Sequence, residues 1–166
     1  MNFSSTKVYF SSNLYLYFRH LVNKTIAMYR ITKERIDALS YEIIGAAIEV
    51  HKQIGPGLLE SVYQACMVEE LKYREISTKS ELIIPIEYRG ISINASLRCD
   101  ILIDDLIVVE LKSVENLLPI HDAQVITYMK LLKTPKSILL NFNVTNIFKE
   151  GQKTFLGEYY RLLPDF

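Results

Sequence analysis

Two cysteines, Cys66 and Cys99, are all the thiols in 166 residues. Their number and spacing give neither a disulfide framework nor a zinc cluster, and Cys99 falls on the apolar face of a predicted strand. The expected compartment is therefore a reducing one, the cytoplasm. No uncharged apolar run approaches the roughly 18 residues that a membrane span needs, so a soluble chain is expected. Repeats and heptads are missing, which leaves little support for a scaffolding role. Acidic residues are missing from positions 1–30, which hold Lys7, Arg19, Lys24 and Arg30 among many Ser, Tyr, Phe and Asn. With no Gly, no Pro and no helical periodicity, this extension reads as a flexible arm, a targeting segment, or translation from a start upstream of a natural one at Met28. We favour the last, which leaves residues 31–166 as one domain. Setting aside those four cations leaves 15 basic against 19 acidic residues, so the body carries about −4. It lacks the positive excess with which a duplex-binding protein neutralises phosphates, and any contact with nucleic acid must be local or metal-assisted.

What the chain does have is charge on strands that should be apolar. Residues 98–112 read as two strands joined by an acidic turn at Asp104 and Asp105. By the period-2 rule Ile107, Val109 and Leu111 share one face, while Val108, Glu110 and Lys112 share the other. On the preceding strand, residues 91–103, the odd positions are apolar and Asp100 lies among the even, polar ones. If both apolar faces pack on one core, Asp100 and Glu110 project together from the opposite face beside Lys112. For the two apolar faces to match, the connection must have an odd length, so a three-residue turn from Asp104 to Leu106 is expected. Two readings remain open for the charged trio. The pair of carboxylates can hold a hard cation, with Lys112 orienting a water or stabilising charge on a phosphate. It can equally be a solvated face with cross-strand ion pairs.

Elsewhere the pattern supplies helices and edges. Apolar residues at 36, 39, 43, 47, 50 and 54 predict a first helix, stopped by Gly55-Pro56-Gly57. A second helix is expected from about Leu58, with Glu60 on the same stripe as Tyr63, Gln64, Met67 and Leu71. Glu60 there is either drawn inward by a partner or simply favoured by the positive end of the helix. Residues 82–88 form a strand that Pro85 confines to an edge, and Arg89-Gly90 makes a two-residue turn into the next. A helix from His121 to Lys133 places Gln124 and Tyr128 four apart in a polar column, for which surface exposure is the ordinary explanation. Residues 137–142 are apolar on both faces and suit a central strand, and residues 147–149 and 154–156 suggest a closing hairpin.

From about Ile31 to Phe155 the chain resembles the GxxExxY family, a branch of the PD-(D/E)XK nuclease superfamily. The naming motif stands as Gly57-Leu58-Leu59-Glu60-Ser61-Val62-Tyr63, and further matching stretches are residues 41–51, 109–112, 121–124 and 139–143. The resemblance implies an α/β mixed sheet on a restriction-endonuclease-like αβββαβ core. It implies Mg²⁺ as cofactor, with Mn²⁺ as a substitute, held by Glu60, Asp100, Glu110 and the Leu111 carbonyl, and it makes Lys112 the residue that positions water or stabilises charge. Gln124 and Tyr128 match a Q-x-x-x-Y element that approaches the site or the nucleic-acid backbone. Cys99 departs from the pattern, standing where the superfamily name has proline. The implied activity is hydrolysis of phosphodiester bonds in nucleic acid, DNA or RNA. The alternative is a catalytically silent nucleic-acid or protein binding module on the same fold. No membrane is implied, and the oligomeric state stays open, a homodimer among the options.

Because residues 1–27 precede the matching region and carry no periodic apolar face, deleting them should leave the thermal midpoint within about 2 °C of the full chain. A calorimetric drop of many degrees would show that the segment belongs to the core.

Overall fold

The first helix starts where Thr32 accepts a hydrogen bond from the Arg35 amide, and it runs as α1, Lys33–Ile54. The computed structural model in which this is seen describes residues 31–165, so the expectations for residues 1–30 lie outside the described residues. Ile36, Ile43, Ala46, Ala47 and Val50 form the buried stripe of α1, and Gly55 ends it with φ 69°. The second helix, α2 (Glu60–Tyr73), begins two residues later than its apolar pattern suggested and buries Tyr63, Met67 and Leu71.

Three antiparallel strands follow, β1 (Thr78–Tyr88), β2 (Ile91–Ile103) and β3 (Ile107–Lys112). Helix α3 (Pro119–Leu132) then crosses over to β4 (Lys136–Asn141), which runs parallel to β3. The sheet order is β1-β2-β3-β4-β5, with β5 (Gln152–Leu156) antiparallel to β4. A short helix, α5 (Glu158–Arg161), closes the described chain. This is the expected mixed sheet on an αβββαβ core, with α1 added in front. Among the described residues no helix is long and apolar enough to cross a membrane.

The turn chemistry follows the sequence. Tyr88 pairs with Ile91 across a two-residue turn in which Arg89 and Gly90 both take positive φ. Pro85 sits on the edge strand β1, where the register with β2 shifts between Ile84 and Ile86. Ile103 pairs with Ile107 across the three-residue turn, closed by the Leu106 amide donating to the Ile103 carbonyl at 2.8 Å.

Three expectations are corrected. Residues 147–150 do not form a strand: Asn146 accepts a hydrogen bond from the Lys149 amide and caps one helical turn, α4 (Ile147–Glu150). Strand β5 pairs with β4 instead. Gly151 joins them, because a Cβ there would overlap the Asn141 carbonyl oxygen. The second correction concerns the strand faces. Ile101, Ile103, Ile107, Val109 and Leu111 pack under α1 and α2, whereas Leu102, Val108 and Leu139 pack on Val125 and Tyr128 of α3. The sheet is buried on both faces, and the face for which solvation was one of the two open readings is covered. The third is Cys99, which joins the α3 side although Ile101 joins the other. On the neighbouring β1, Glu81 takes φ 53° between Ser80, which pairs with Ile101, and Leu82, which pairs with Cys99.

Candidate active site

Asp100 stands where β2 leaves β3. The ladder ends at Ile101–Val109, and one residue further the Asp100 carboxylate replaces a backbone acceptor, its Oδ2 taking the Leu111 amide at 2.8 Å. On the other side, Gln64 of α2 donates its Nε2 to the Asp100 carbonyl at 3.0 Å and ties the helix to the parting strand. A residue in a strand points its N–H and C=O to the same edge. The Leu111 carbonyl therefore faces the Asp100 carboxylate, while the Lys112 carbonyl serves β4 by accepting from the Phe142 amide.

Glu110 and Lys112 rise from the same face of β3. Glu110 is 1% exposed. Its Oε1 accepts from Lys112 Nζ at 2.7 Å, and its Oε2 is buried with no hydrogen-bond partner among the described residues. Glu60 opens α2 and brings Oε1 to 3.9 Å from Lys112 Nζ. Two carboxylates, from one helix and one strand, thus reach one ammonium group, and Asp100 acts on it through its charge. The structure brings Glu60, Asp100, Glu110, Leu111 and Lys112 together. Gln124 and Tyr128 instead bond to each other, Nε2 to hydroxyl at 3.0 Å, and Tyr128 is buried against the sheet where surface exposure was the ordinary expectation.

The loop before Glu60 gives the G-x-x-E-x-x-Y spacing a physical meaning. Gly57 has φ 95°, a conformation that disfavours a side chain. Tyr63, one turn beyond Glu60, stacks on Phe142 with ring centroids 4.4 Å apart. Its hydroxyl donates to the Gly55 carbonyl at 2.8 Å and accepts from the Leu58 amide at 3.0 Å. Ser113 Oγ adds a bond to the Leu58 carbonyl at 2.6 Å, joining this loop to the residue after Lys112. Asn141 clamps Val114 through both its amide and its carbonyl. Gln64 carried a sequence signal, lying on the Glu60 stripe. Ser113 carried none, because its partner is a backbone atom 55 residues away.

Burial is the first cause of every carboxylate shift in the cluster. It pushes Glu110 up to about 7, with the Asp100 charge adding and Lys112 opposing. It raises Asp100 against the pull of the Leu111 amide and Lys112, and it raises Glu60 against Lys112. Repulsion by the Asp100 charge is the second cause for Glu110 and the third for Glu60. Burial works against the Lys112 ammonium too, but the Glu110 hydrogen bond and the surrounding carboxylates outweigh it and hold its pKa high.

A family model described as the PD-(D/E)XK nuclease superfamily matches residues 37–155. The chain belongs to the PD-(D/E)XK nuclease superfamily. Comparison with curated proteins and with solved structures returns no match. Such nucleases usually employ divalent metal ions, and the residues present fit one. The donors are hard oxygens, and the orphaned Glu110 Oε2 is a buried acceptor that a cation would complete. Among the described residues no three His, Cys, Asp or Glu side chains close around a single point. Lys112 takes that central place as counter-ion to Glu110.

The raised Glu110 pKa fixes a pH dependence. The folded state holds this proton more tightly than the unfolded chain, whose value is near 4.5. Its contribution to stability is complete below that value and is lost as pH rises through about 7. In EDTA, Glu110→Gln should therefore be more stable than wild type at pH 8, by about 1–2 kcal/mol after the weakened Lys112 pair is offset, with no such gain at pH 4. Thermal melts at the two pH values measure this, and a loss at pH 8 would overturn it.

Proposed function

We propose that this chain is a Mg²⁺-dependent nuclease that hydrolyses phosphodiester bonds in nucleic acid, on the GxxExxY variant of the superfamily fold. The observation that carries this reading is the buried, unpartnered Glu110 Oε2 beside Asp100 and Lys112. A silent binding module would not account for an orphaned carboxylate oxygen, which costs stability and is tolerated where a ligand completes it. Glu60, Asp100, Glu110 and the Leu111 carbonyl would hold the ion. When bound, Mg²⁺ supplies Lewis-acid stabilisation of the phosphate and lowers the pKa of water at the site.

The chain's own residues do the rest. Asp100, locked by the Leu111 amide, keeps its remaining oxygen facing the site. Lys112, fixed by Glu110, donates from Nζ to the attacking water or to a non-bridging phosphate oxygen as negative charge accumulates there. The water oxygen bonds to phosphorus as its proton passes to bulk water, the phosphorus–sugar oxygen bond breaks, and the departing sugar oxygen takes up a proton from bulk water. Nothing in this sequence needs a covalent enzyme intermediate.

Single-stranded DNA, duplex DNA and RNA oligonucleotides incubated with Mg²⁺ or Mn²⁺ give the test. Cleavage of at least one class should appear with metal and vanish in EDTA, and Lys112→Ala should slow it by roughly 100-fold or more. Cleavage that survives EDTA, or equal activity in Lys112→Ala, would contradict the assignment.

A further inference from the structure

Glu60 is held more loosely than the two carboxylates beside it. Asp100 has the Leu111 amide at 2.8 Å and Glu110 has Lys112 Nζ at 2.7 Å, whereas Glu60 stands 3.9 Å from Lys112 Nζ. Its side chain keeps 43% of its surface, against 2% for Glu110, so packing does not fix it either. Besides Lys112, the group of the strand side that steadies its charge is the Ser113 amide, which draws the Glu60 pKa down. Where Glu60 sits therefore depends on where residues 113 and 114 sit.

Those residues have left the sheet. The register of β3 with β4 ends at Lys112 opposite Asn141. Beyond it the Asn141 side chain takes over, donating from Nδ2 to the Val114 carbonyl at 2.8 Å and accepting at Oδ1 from the Val114 amide at 3.0 Å. A side-chain amide thus makes both of the bonds that a paired strand residue would make. Asn141 is 2% exposed, and its Oδ1 also accepts from the Asn143 amide at 3.2 Å. The bond to Asn143 is enough to turn the chain at the end of β4. The two bonds to Val114 serve the segment that carries Ser113.

Asn141 and Phe142 are neighbours, and each leads to Glu60 by its own route. Phe142 stacks on Tyr63, whose hydroxyl holds Gly55 and Leu58. Asn141 holds Val114, next to Ser113, whose hydroxyl bonds the Leu58 carbonyl at 2.6 Å. We infer that Asn141 is a positioning residue of the hydrolytic site, fixing Val114 so that the Ser113 amide and hydroxyl set Glu60 for the cation. This rests on the metal-dependent nuclease reading above.

Calorimetric titration with Mn²⁺ alone reads the effect without turnover. Asn141→Ala should bind Mn²⁺ about tenfold more weakly than wild type, as is usual when a group that orients a metal ligand is removed. In a Glu60→Gln background the same substitution should cost less than about threefold, because the ligand it positions is already gone. Ser113→Ala, which keeps the amide and loses the bond to Leu58, should weaken binding roughly threefold, and Ser113→Thr should restore it. Thermal melts establish that each variant is folded. A folded Asn141→Ala with wild-type affinity, or a tenfold loss that persists in the Glu60→Gln background, would make Asn141 purely structural and leave the nuclease reading intact. If Asn141→Ala does not fold, the Ser113 variants decide, and wild-type affinity in Ser113→Ala overturns the inference. A wild type that binds no Mn²⁺ would overturn both.

Discussion

Glu110 and Glu60 share the one Lys112 ammonium group, with the Asp100 charge acting on it as well, and the rest of the architecture is arranged to make that arrangement tolerable. Glu110 is almost fully buried, and among the described residues Lys112 supplies the only side-chain hydrogen bond to it. Removing a buried charge from water costs several kcal/mol, so such a cluster persists only where surrounding packing over-determines it. Here α1 and α2 cover one face of β3 and α3 covers the other, with Val109 and Leu111 locked on one side and Val108 on the other. Asp100 contributes differently, by taking the Leu111 amide that β2 no longer serves. One carboxylate is buried by the sheet, one ends the ladder, and one arrives on a helix.

The helix arrives correctly because its loop is pinned at several points. Gly57 permits the turn, the Tyr63 hydroxyl bridges Gly55 and Leu58, and Ser113 reaches back from the end of β3. Tyr63 does not touch the carboxylates through its hydroxyl. It sets the path of the backbone immediately before Glu60, and its stacking on Phe142 anchors that path to the end of β4. The short motif is therefore a positioning device around a single chemical residue.

Much of this was legible from local chemistry. Arg89-Gly90 made its turn, Pro85 lay on an edge, and matching the odd-numbered faces required the three-residue turn that Asp104 to Leu106 form. The clustering of Asp100, Glu110 and Lys112 followed from the same alternation, and Glu60 joined them from its helical stripe. What failed depended on partners remote in sequence. Alternation within β2 and β3 cannot report that α3 covers their second face, so a solvated surface stayed open as one reading for Glu110, whereas burial is the first cause of its raised pKa. The reversal that puts Cys99 and Ile101 on opposite sides of the sheet has no pattern of its own. Residues 147–149 look strand-like until Asn146 caps them as a helical turn. Tyr128 showed a polar column whose lower half turned out to be buried.

The central claim is that the carboxylate cluster is a cation site and not a costly ion-pair network, and metal-dependent stability tests it most directly. Thermal melts of wild type and Asp100→Asn should be recorded in EDTA and in millimolar Mn²⁺. At an ion concentration about 100 times Kd, mass action stabilises the folded wild type by roughly 2.7 kcal/mol, a rise of about 5–10 °C for a chain of this size, and Asp100→Asn should show little of it. A wild type that does not shift, or an Asp100→Asn variant that shifts equally, would contradict the account.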